Sequence, residues 1–233
     1  MNHNYATIPT VAFLPLDIDY KLPEESDILD FCRLHHIPMA DTMSYAPAWE
    51  ITPICGRFDP SEWYDPKVNK ERWFERYVPG LGPLQFANKI DKKFPELDFM
   101  LQQLPYKELT VATIFHQQIP VTCHIDWFKE DKDTDLEEMS IENEPRRFNI
   151  QLTKHEYKSF YVATSENSER IYCNITKEAP GYALTEKYNW HGADYSGPDK
   201  LILVTAGIID RNKRDQLIER SREKYKKDLI IFG

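Results

Sequence analysis

The sequence lacks the patterns of a zinc ribbon, a secretory leader and a membrane span. Its four cysteines are widely separated and form no CxxC pair. No basic stretch followed by an apolar one opens the chain, and no apolar run approaches the ~20 residues needed to cross a bilayer. We therefore expect a cytoplasmic protein with reduced cysteines and no membrane partner.

Glycine is also scarce, and the 29 basic residues are outnumbered by 38 acidic ones. Eight glycines stand against 16 prolines, which favours ordered loops and proline-bounded strands over flexible linkers. The formal net charge of -9 disfavours duplex nucleic acid as a partner, because such binding depends on neutralising phosphates. A chain of 233 residues fits one large domain, or one domain with a substantial extension.

The pattern of apolar residues changes from helical to strand-like near residue 109. Before it, residues 1–60 are irregular and proline-rich apart from one short helix, and amphipathic helical pieces follow over 86–103. After it, β-branched and aromatic segments between turns predict about seven or eight short strands, and then a helix from residue 210. The prediction is a mainly β fold, a double-stranded β-helix (jelly roll). Residues 1–108 form its helical N-terminal extension, and residues 109–233 form its barrel and C-terminal helix.

The short helix in the N-terminal part is predicted over 26–36. Ser26 or Asp27 is its expected N-cap. Adjacent residues of a helix do not converge on one ion, so His35 and His36 are interpreted as an exposed helix end. The apolar side of the helix is predicted to consist of Ile28, Phe31, Cys32 and Leu34.

A histidine and an aspartate stand two residues apart in His124-Ile-Asp126, directly after an extended apolar segment. Residues i and i+2 of a strand point to the same side, so both side chains are expected to aim at one point. A further histidine, His191, follows after roughly four or five predicted strands, which in a jelly roll return it to the same place. Two histidines and one carboxylate form the facial triad of non-haem Fe(II) oxygenases. The alternative is a capped strand end, with His124 hydrogen-bonded to Asp126 or to the backbone.

Two basic residues are candidates for binding a carboxylate inside this barrel. Lys200 opens the last apolar strand, nine residues after His191. Arg147 begins a strand on which Arg147, Asn149 and Gln151 share one face while apolar residues share the other. Arginine grips a carboxylate through two parallel hydrogen bonds. For both basic residues, the alternative is a solvated side chain.

These motifs together resemble the Fe(II)/2-oxoglutarate-dependent dioxygenases. That superfamily carries an HxD pair, a later histidine and a basic residue about ten positions beyond it on the last strand of a jelly roll. Three segments are similar to its aspartyl/asparaginyl β-hydroxylase branch, namely Arg147-x-Asn149-Ile-x-Leu152, Asn189-Trp-His191-Gly-Ala and Lys200-Leu-Ile-Leu. The resemblance covers about residues 110 to 208, and residues 1 to 108 resemble nothing we identify.

The resemblance implies an activity and a role for each candidate. His124, Asp126 and His191 would hold Fe(II), while Lys200 and Arg147 would bind the two ends of 2-oxoglutarate. 2-Oxoglutarate and O2 would be consumed to give succinate, CO2 and an oxidant that abstracts hydrogen from a C–H bond. The implied substrate is a protein side chain, a free amino acid or another small molecule, bound through the N-terminal extension and the 128–145 loop.

The chain departs from the branch pattern at two positions. Lys200 stands where the branch usually has arginine, which keeps the charge but loses the bidentate fork. Asn149 stands where the branch usually has histidine, which keeps a polar group facing the pocket.

Two other functions compete with the dioxygenase. The first is a non-catalytic jelly-roll module that binds a metal or ligand without chemistry. The second is a cupin-type metalloenzyme such as an isomerase. Such sites usually collect more histidines, and the strand region offers only His116 and His155 besides the two already named.

Overall fold

The computed structural model describes residues 9–38, 50–56, 83–117, 119–125, 145, 147–153, 159–185, 189–194 and 200–233. Their strands are β1 (Thr10–Pro15), β2 (Ile37–Pro38), β3 (Glu50–Gly56), β4 (Gln85–Phe86), β5 (Tyr106–Gln117), β6 (Val121–His124), β7 (Arg147–Gln151), β8 (Phe160–Ala163), β9 (Ile171–Tyr172), β10 (Gly181–Leu184), β11 (Trp190–Ala193), β12 (Lys200–Ile209) and β13 (Ile230–Phe232). Their α-helices are α1 (Glu25–His35), α2 (Ile90–Lys93), α3 (Pro95–Gln103) and α4 (Arg211–Lys224), and a short 3-10 helix covers Ala87–Lys89.

The described strands form two antiparallel sheets. The larger sheet has nine strands in the order β13-β1-β10-β7-β12-β5-β3-β2, with β4 paired to β3. The smaller sheet has four strands in the order β6-β11-β8-β9. The prediction of a mainly β protein with a C-terminal helix is confirmed.

The larger sheet separates two apolar cores because its strands alternate sides. On β7, the side chains of Phe148 and Ile150 are fully buried in a core shared with α1, α2, α3 and α4. Arg147, Asn149 and Gln151 lie on the opposite face, as the period of two residues predicts. The polar face therefore looks away from the helices.

The second core lies between the two sheets and is rich in aromatic rings. Phe13 and Tyr182 come from the larger sheet, and Phe160 comes from the smaller one. The ring centroids are 5.5 Å apart for Phe13 and Tyr182, and 5.0 Å apart for Phe160 and Tyr182. These contacts fix the two sheets face to face.

The helices pack largely as their apolar spacing predicts. Ile28, Phe31 and Cys32 of α1 are buried, but Leu34 is 78% exposed, so its placement on the apolar side is wrong. Because successive residues of a helix are rotated by about 100°, Leu34 falls to one side of the stripe formed by residues 28, 31 and 32. Helix α1 begins one residue early, and neither Ser26 nor Asp27 caps it. No helix in the described part of the chain is both long and apolar enough to cross a membrane.

The N-terminal part also contributes strands, which the sequence did not indicate. Strand β1 lies between β13 and β10, and β3 pairs with β5. The prediction of an irregular segment over 1–60 is therefore wrong for Thr10–Pro15 and Glu50–Gly56. The sequence did not predict β3 because the strand contains a proline, and a residue without an N–H normally interrupts a sheet. The sheet accommodates Pro53 through a shift of register between Pro53 and Cys55.

Gly192 is the residue of β11 that has no room for a side chain. An added Cβ would lie 2.8 Å from the carbonyl oxygen of Val121 and closer still to the Tyr161 hydroxyl. Gly192→Ala is therefore expected to lower the free energy of unfolding by about 2 kcal/mol, measured by urea denaturation. The matched control is Gly233→Ala, whose Cβ would lie 3.3 Å from Pro9 at the chain end. Equal stability of both variants would contradict the prediction.

Candidate metal centre

His124 and His191 face each other on neighbouring strands of the smaller sheet. Strands β6 and β11 are antiparallel, and these two residues are Cα partners in their register. Their ring centroids are 4.5 Å apart, with an angle of 50° between the ring planes. Residues that are 67 positions apart in the sequence (191 minus 124) are thus brought together by strand pairing.

The pair lies at the edge of the space between the sheets. The ring centroid of His191 is 6.2 Å from that of Phe160, which belongs to the inter-sheet core. His191 is 8% exposed, whereas His124 is half-buried. Trp190 occupies the opposite face of β11, because successive side chains of a strand alternate. It is therefore not placed beside the imidazoles.

Both imidazoles are oriented by the same kind of hydrogen bond. Nδ1 of His124 is 2.8 Å from the carbonyl oxygen of Thr122, and Nδ1 of His191 is 3.0 Å from that of Asn189. A carbonyl oxygen only accepts, so each Nδ1 carries a proton, and in a neutral imidazole this leaves the lone pair on Nε2. This is the arrangement that ligating histidines adopt, since the bond fixes both tautomer and ring orientation.

The separation of the rings fits two ligands of one ion. Nitrogen–metal bonds are about 2.1 Å and a ring centre lies about 1.1 Å behind its nitrogen, so two imidazoles at a right angle have centroids about 4.5 Å apart. The observed separation is 4.5 Å. The histidine pair therefore suits a divalent transition metal, for which neutral imidazole is a preferred ligand.

The remaining ligand candidates contribute nothing further within the described ranges. Asp126, the predicted carboxylate ligand, lies outside those residues, as does His155. Side chains of three or more His, Cys, Asp and Glu residues do not cluster as a metal site in the described part of the chain. His116 points to the helix side of the larger sheet, where its Nδ1 is 3.5 Å from Glu50. It therefore cannot bind the same ion as His124 and His191, and the hypothesis of a histidine-rich cupin-type metalloenzyme gains no support.

Lys200 is a buried cation between the two sheets. It is 4% exposed, so the interpretation as a solvated lysine is wrong. Its Nζ donates a hydrogen bond to Ser159 Oγ at 2.9 Å, reaching from the larger sheet to the start of β8. Within the described residues no carboxylate forms an ion pair with it. Burial lowers the pKa of Lys200 to about 8, so the ammonium form predominates at pH 7.

The depressed pKa of Lys200 makes a pH-dependent contribution to stability. The unfolded chain holds this proton up to about pH 10.5, and the folded chain releases it near pH 8. Burial of the ammonium therefore lowers the free energy of unfolding by its full amount below pH 8, and this penalty disappears as the pH rises toward 10.5. Lys200→Met removes the penalty. We expect the stability advantage of this variant over the wild type to fall by about 2 kcal/mol between pH 7 and pH 10, measured by urea unfolding.

The comparison with a variant is necessary because other groups titrate in the same range. Burial raises the pKa of Cys32 to about 12, and that of Tyr161 to about 12. The folded chain keeps these protons where the unfolded chain loses them, so these groups lower stability as pH rises. They cancel in the difference between wild type and Lys200→Met. An advantage that does not change with pH would contradict the assignment of a buried ammonium.

The polar face of the larger sheet supplies further groups to the same space. Asn149 Nδ2 lies 3.5 Å from the Tyr182 hydroxyl, and Asn149 Oδ1 is buried without a hydrogen-bond partner among the described residues. Burial raises the pKa of Tyr182, while the hydrogen bond from Asn149 and the charge of Arg147 oppose this shift. Arg147 is half-buried and lies on this face. Gln117, the Cα partner of Lys200, also has a buried Oε1 that accepts no hydrogen bond from any residue the structure describes.

These unpartnered acceptors matter because buried polar atoms are normally satisfied. Amide oxygens that face an interior next to a cation and a hydroxyl provide places for a polar ligand. The sequence suggested Arg147, Asn149 and Lys200 as such groups. It did not single out Ser159, Gln117 or Tyr182, because one serine, glutamine or tyrosine in a strand carries no pattern of its own.

Comparisons with known proteins assign no family to this chain. A scan against protein-family models found no match, and a search of curated proteins found none either.

Proposed function

We propose that this protein is an Fe(II)- and 2-oxoglutarate-dependent dioxygenase that hydroxylates a C–H bond. One observation carries the proposal. Two histidines face each other with both Nδ1 atoms bound to backbone carbonyls, beside an interior that contains the buried cation Lys200.

We further propose that the two sheets form a jelly roll, and the strand pairing supports this. Between β5 and β12 the first strand pairs with the last, β6 with β11, β7 with β10, and β8 with β9. Such nested pairs arise when one long antiparallel hairpin is wrapped so that its strands alternate between two sheets. The arrangement puts the ends of β6 and β11, with their histidines, at the same edge.

In this proposal, His124, Asp126 and His191 hold the iron. Together, bound Fe(II), 2-oxoglutarate and O2 supply the oxidising power for hydroxylation, with release of succinate and CO2. Lys200 and Arg147 bind the carboxylate ends of 2-oxoglutarate, and the ammonium of Lys200 is desolvated before the co-substrate arrives. A charge held in a dry site attracts a carboxylate more strongly than a hydrated charge does.

The surroundings keep bulk water away from the reacting groups. Phe13, Phe160 and Tyr182 form an aromatic wall behind His191. Exclusion of water prevents side reactions of reactive intermediates. The substrate is an amino-acid side chain or a small molecule. Most of the 128–145 loop that we expect to contact it lies outside the described residues.

We place this activity in a reducing compartment such as the cytoplasm. In the described part of the chain no disulfide joins any of the four cysteines, and Cys32, Cys55 and Cys173 are buried. Disulfides form and persist in oxidising compartments, so cysteines that form none fit a reducing one.

The direct test is formation of succinate from 2-oxoglutarate by the purified protein with Fe(II) and ascorbate. We expect succinate in the wild type and none in His191→Ala. Absence of succinate and of metal binding would overturn the proposal. If calorimetry instead shows no affinity for 2-oxoglutarate while another ligand binds, the protein is a non-catalytic binding module.

A +16 Da product in a lysate, detected by mass spectrometry, would identify the substrate. Incubating the lysate with the wild type and with His191→Ala separates hydroxylation by this protein from background oxidation.

A further inference from the structure

Asn189 joins the histidine-bearing strand to the larger sheet. Its side chain is 1% exposed. Its Oδ1 accepts a hydrogen bond from Thr10 Oγ1 at 3.0 Å, and its Nδ2 donates to the carbonyl oxygens of Thr185 at 2.9 Å and Val11 at 3.4 Å. Its backbone N–H donates to the Thr185 carbonyl at 3.2 Å. The side chain therefore ties the start of β11 to β1 and to the end of β10.

The orientation of this amide follows from its partners. The carbonyl oxygens of Thr185 and Val11 can only accept, so the NH2 group must face them. Oδ1 then faces Thr10, whose hydroxyl must act as the donor. Thr10 is itself buried, which leaves water no easy access to replace the bond.

The same residue holds the imidazole of His191. The carbonyl oxygen of Asn189 accepts the hydrogen bond from His191 Nδ1 at 3.0 Å. A carbonyl whose residue is anchored by its own side chain cannot shift, so the imidazole keeps its direction before any metal binds. Partners behind a ligating histidine fix its tautomer and orientation and commonly change metal affinity 10–100-fold.

The carbonyl that accepts from His124 Nδ1 lies in a different setting. It belongs to Thr122, which is exposed, on a strand at the end of the four-stranded sheet as the described residues define it. The carbonyl behind His191 is the one whose own residue is buried and anchored by its side chain.

We propose that Asn189, held by Thr10, is a positioning residue that fixes the His191 imidazole for metal binding. The inference rests on the proposed metal site. It makes His191 a ligand whose direction is set before the ion arrives.

The test is a titration of the metal-free protein with Co(II), followed by its visible absorption spectrum. Thr10→Val keeps the volume of Thr10 but removes the donor to Asn189. We expect its Co(II) affinity to fall about tenfold and its absorption bands to shift, because His191 is held less firmly. Thr10→Ser restores the hydroxyl and is expected to restore both affinity and spectrum.

The matched control is Thr185→Val. Thr185 is also buried in this network, but its Oγ1 has no hydrogen-bond partner among the described residues. The same substitution there is expected to leave Co(II) affinity and spectrum unchanged. A wild-type affinity and spectrum in Thr10→Val, or equal losses in Thr10→Val and Thr185→Val, would overturn the positioning role.

A measurement on the wild type avoids any dependence on the folding of variants. Long-range proton–nitrogen NMR of the metal-free protein reports which nitrogen of His191 carries the proton. We expect Nδ1, and a proton on Nε2 would overturn the inference. If wild-type Co(II) binding is absent or unaffected by His191→Ala, the proposed function fails and the inference fails with it. If binding depends on His191 but not on Thr10, only the inference fails.

Discussion

Replacing His191 with alanine is expected to lower the affinity for Fe(II) or Co(II) more than about 100-fold, because losing partners behind a ligand already costs 10–100-fold. The same loss is expected for His124→Ala, since the rings face each other 4.5 Å apart. Calorimetry with Co(II) measures both affinities without requiring turnover. Formation of succinate should disappear in both variants.

A histidine outside the site provides the control. His36 lies next to helix α1, where its Nε2 is 3.4 Å from Glu50 Oε1. His36→Ala is expected to retain wild-type metal affinity. If His36→Ala loses as much affinity as His191→Ala, or if His191→Ala binds Co(II) as the wild type does, then β6 and β11 do not form the metal site.

Replacing Lys200 with methionine is expected to have opposite effects on ligand binding and on stability. Removing one partner of a buried charge pair costs 2–5 kcal/mol, so 2-oxoglutarate affinity should fall roughly 100-fold. The ligand-free protein should become more stable by about 2 kcal/mol at pH 7. A pKa of about 8 implies that the buried ammonium costs about 3 kcal/mol there, and the lost bond to Ser159 offsets about 1 kcal/mol.

Calorimetry with 2-oxoglutarate and urea unfolding of the ligand-free protein measure these two effects. Lys213→Met, at an exposed position of helix α4, is the control and should change neither. Lys200→Arg keeps the charge and should retain more affinity than Lys200→Met. Undiminished 2-oxoglutarate binding by Lys200→Met would exclude Lys200 as an anchor, whatever its effect on stability.

The opposite effects of Lys200→Met on ligand affinity and on stability have a common cause. A buried cation without a carboxylate partner is costly in the folded chain, because burial removes its hydration. An arriving carboxylate compensates that cost only in the complex. Sites that bind or catalyse often sacrifice stability in this way, and Lys200 is the residue where the described structure shows it most directly.

Much of the fold was predictable because the deciding forces are local or periodic. Alternation along Arg147–Gln151 correctly separated the polar face from the face that packs on the helices. The spacing of the apolar residues between Ile90 and Leu104 correctly predicted helices that bury that side. The failures occurred where tertiary pairing overrides local signals. Strand β3 contains a proline, and β1 reads as part of an irregular region because its partners β10 and β13 lie more than 160 residues away in sequence.

The candidate site divides in the same way. By itself the sequence determined which residue types are present at which spacing, and hence a prediction of a metal site with His124, Asp126 and His191 and of carboxylate anchors at Lys200 and Arg147. Only the tertiary structure decided that His124 and His191 are cross-strand partners, that Lys200 is buried beside Ser159, and that Asn189 carries the carbonyl behind His191. The physical reason is that alternation along a strand depends only on residues that are neighbours in the sequence. Burial, hydrogen-bond partners and desolvation depend on strands that meet only when the two sheets pack.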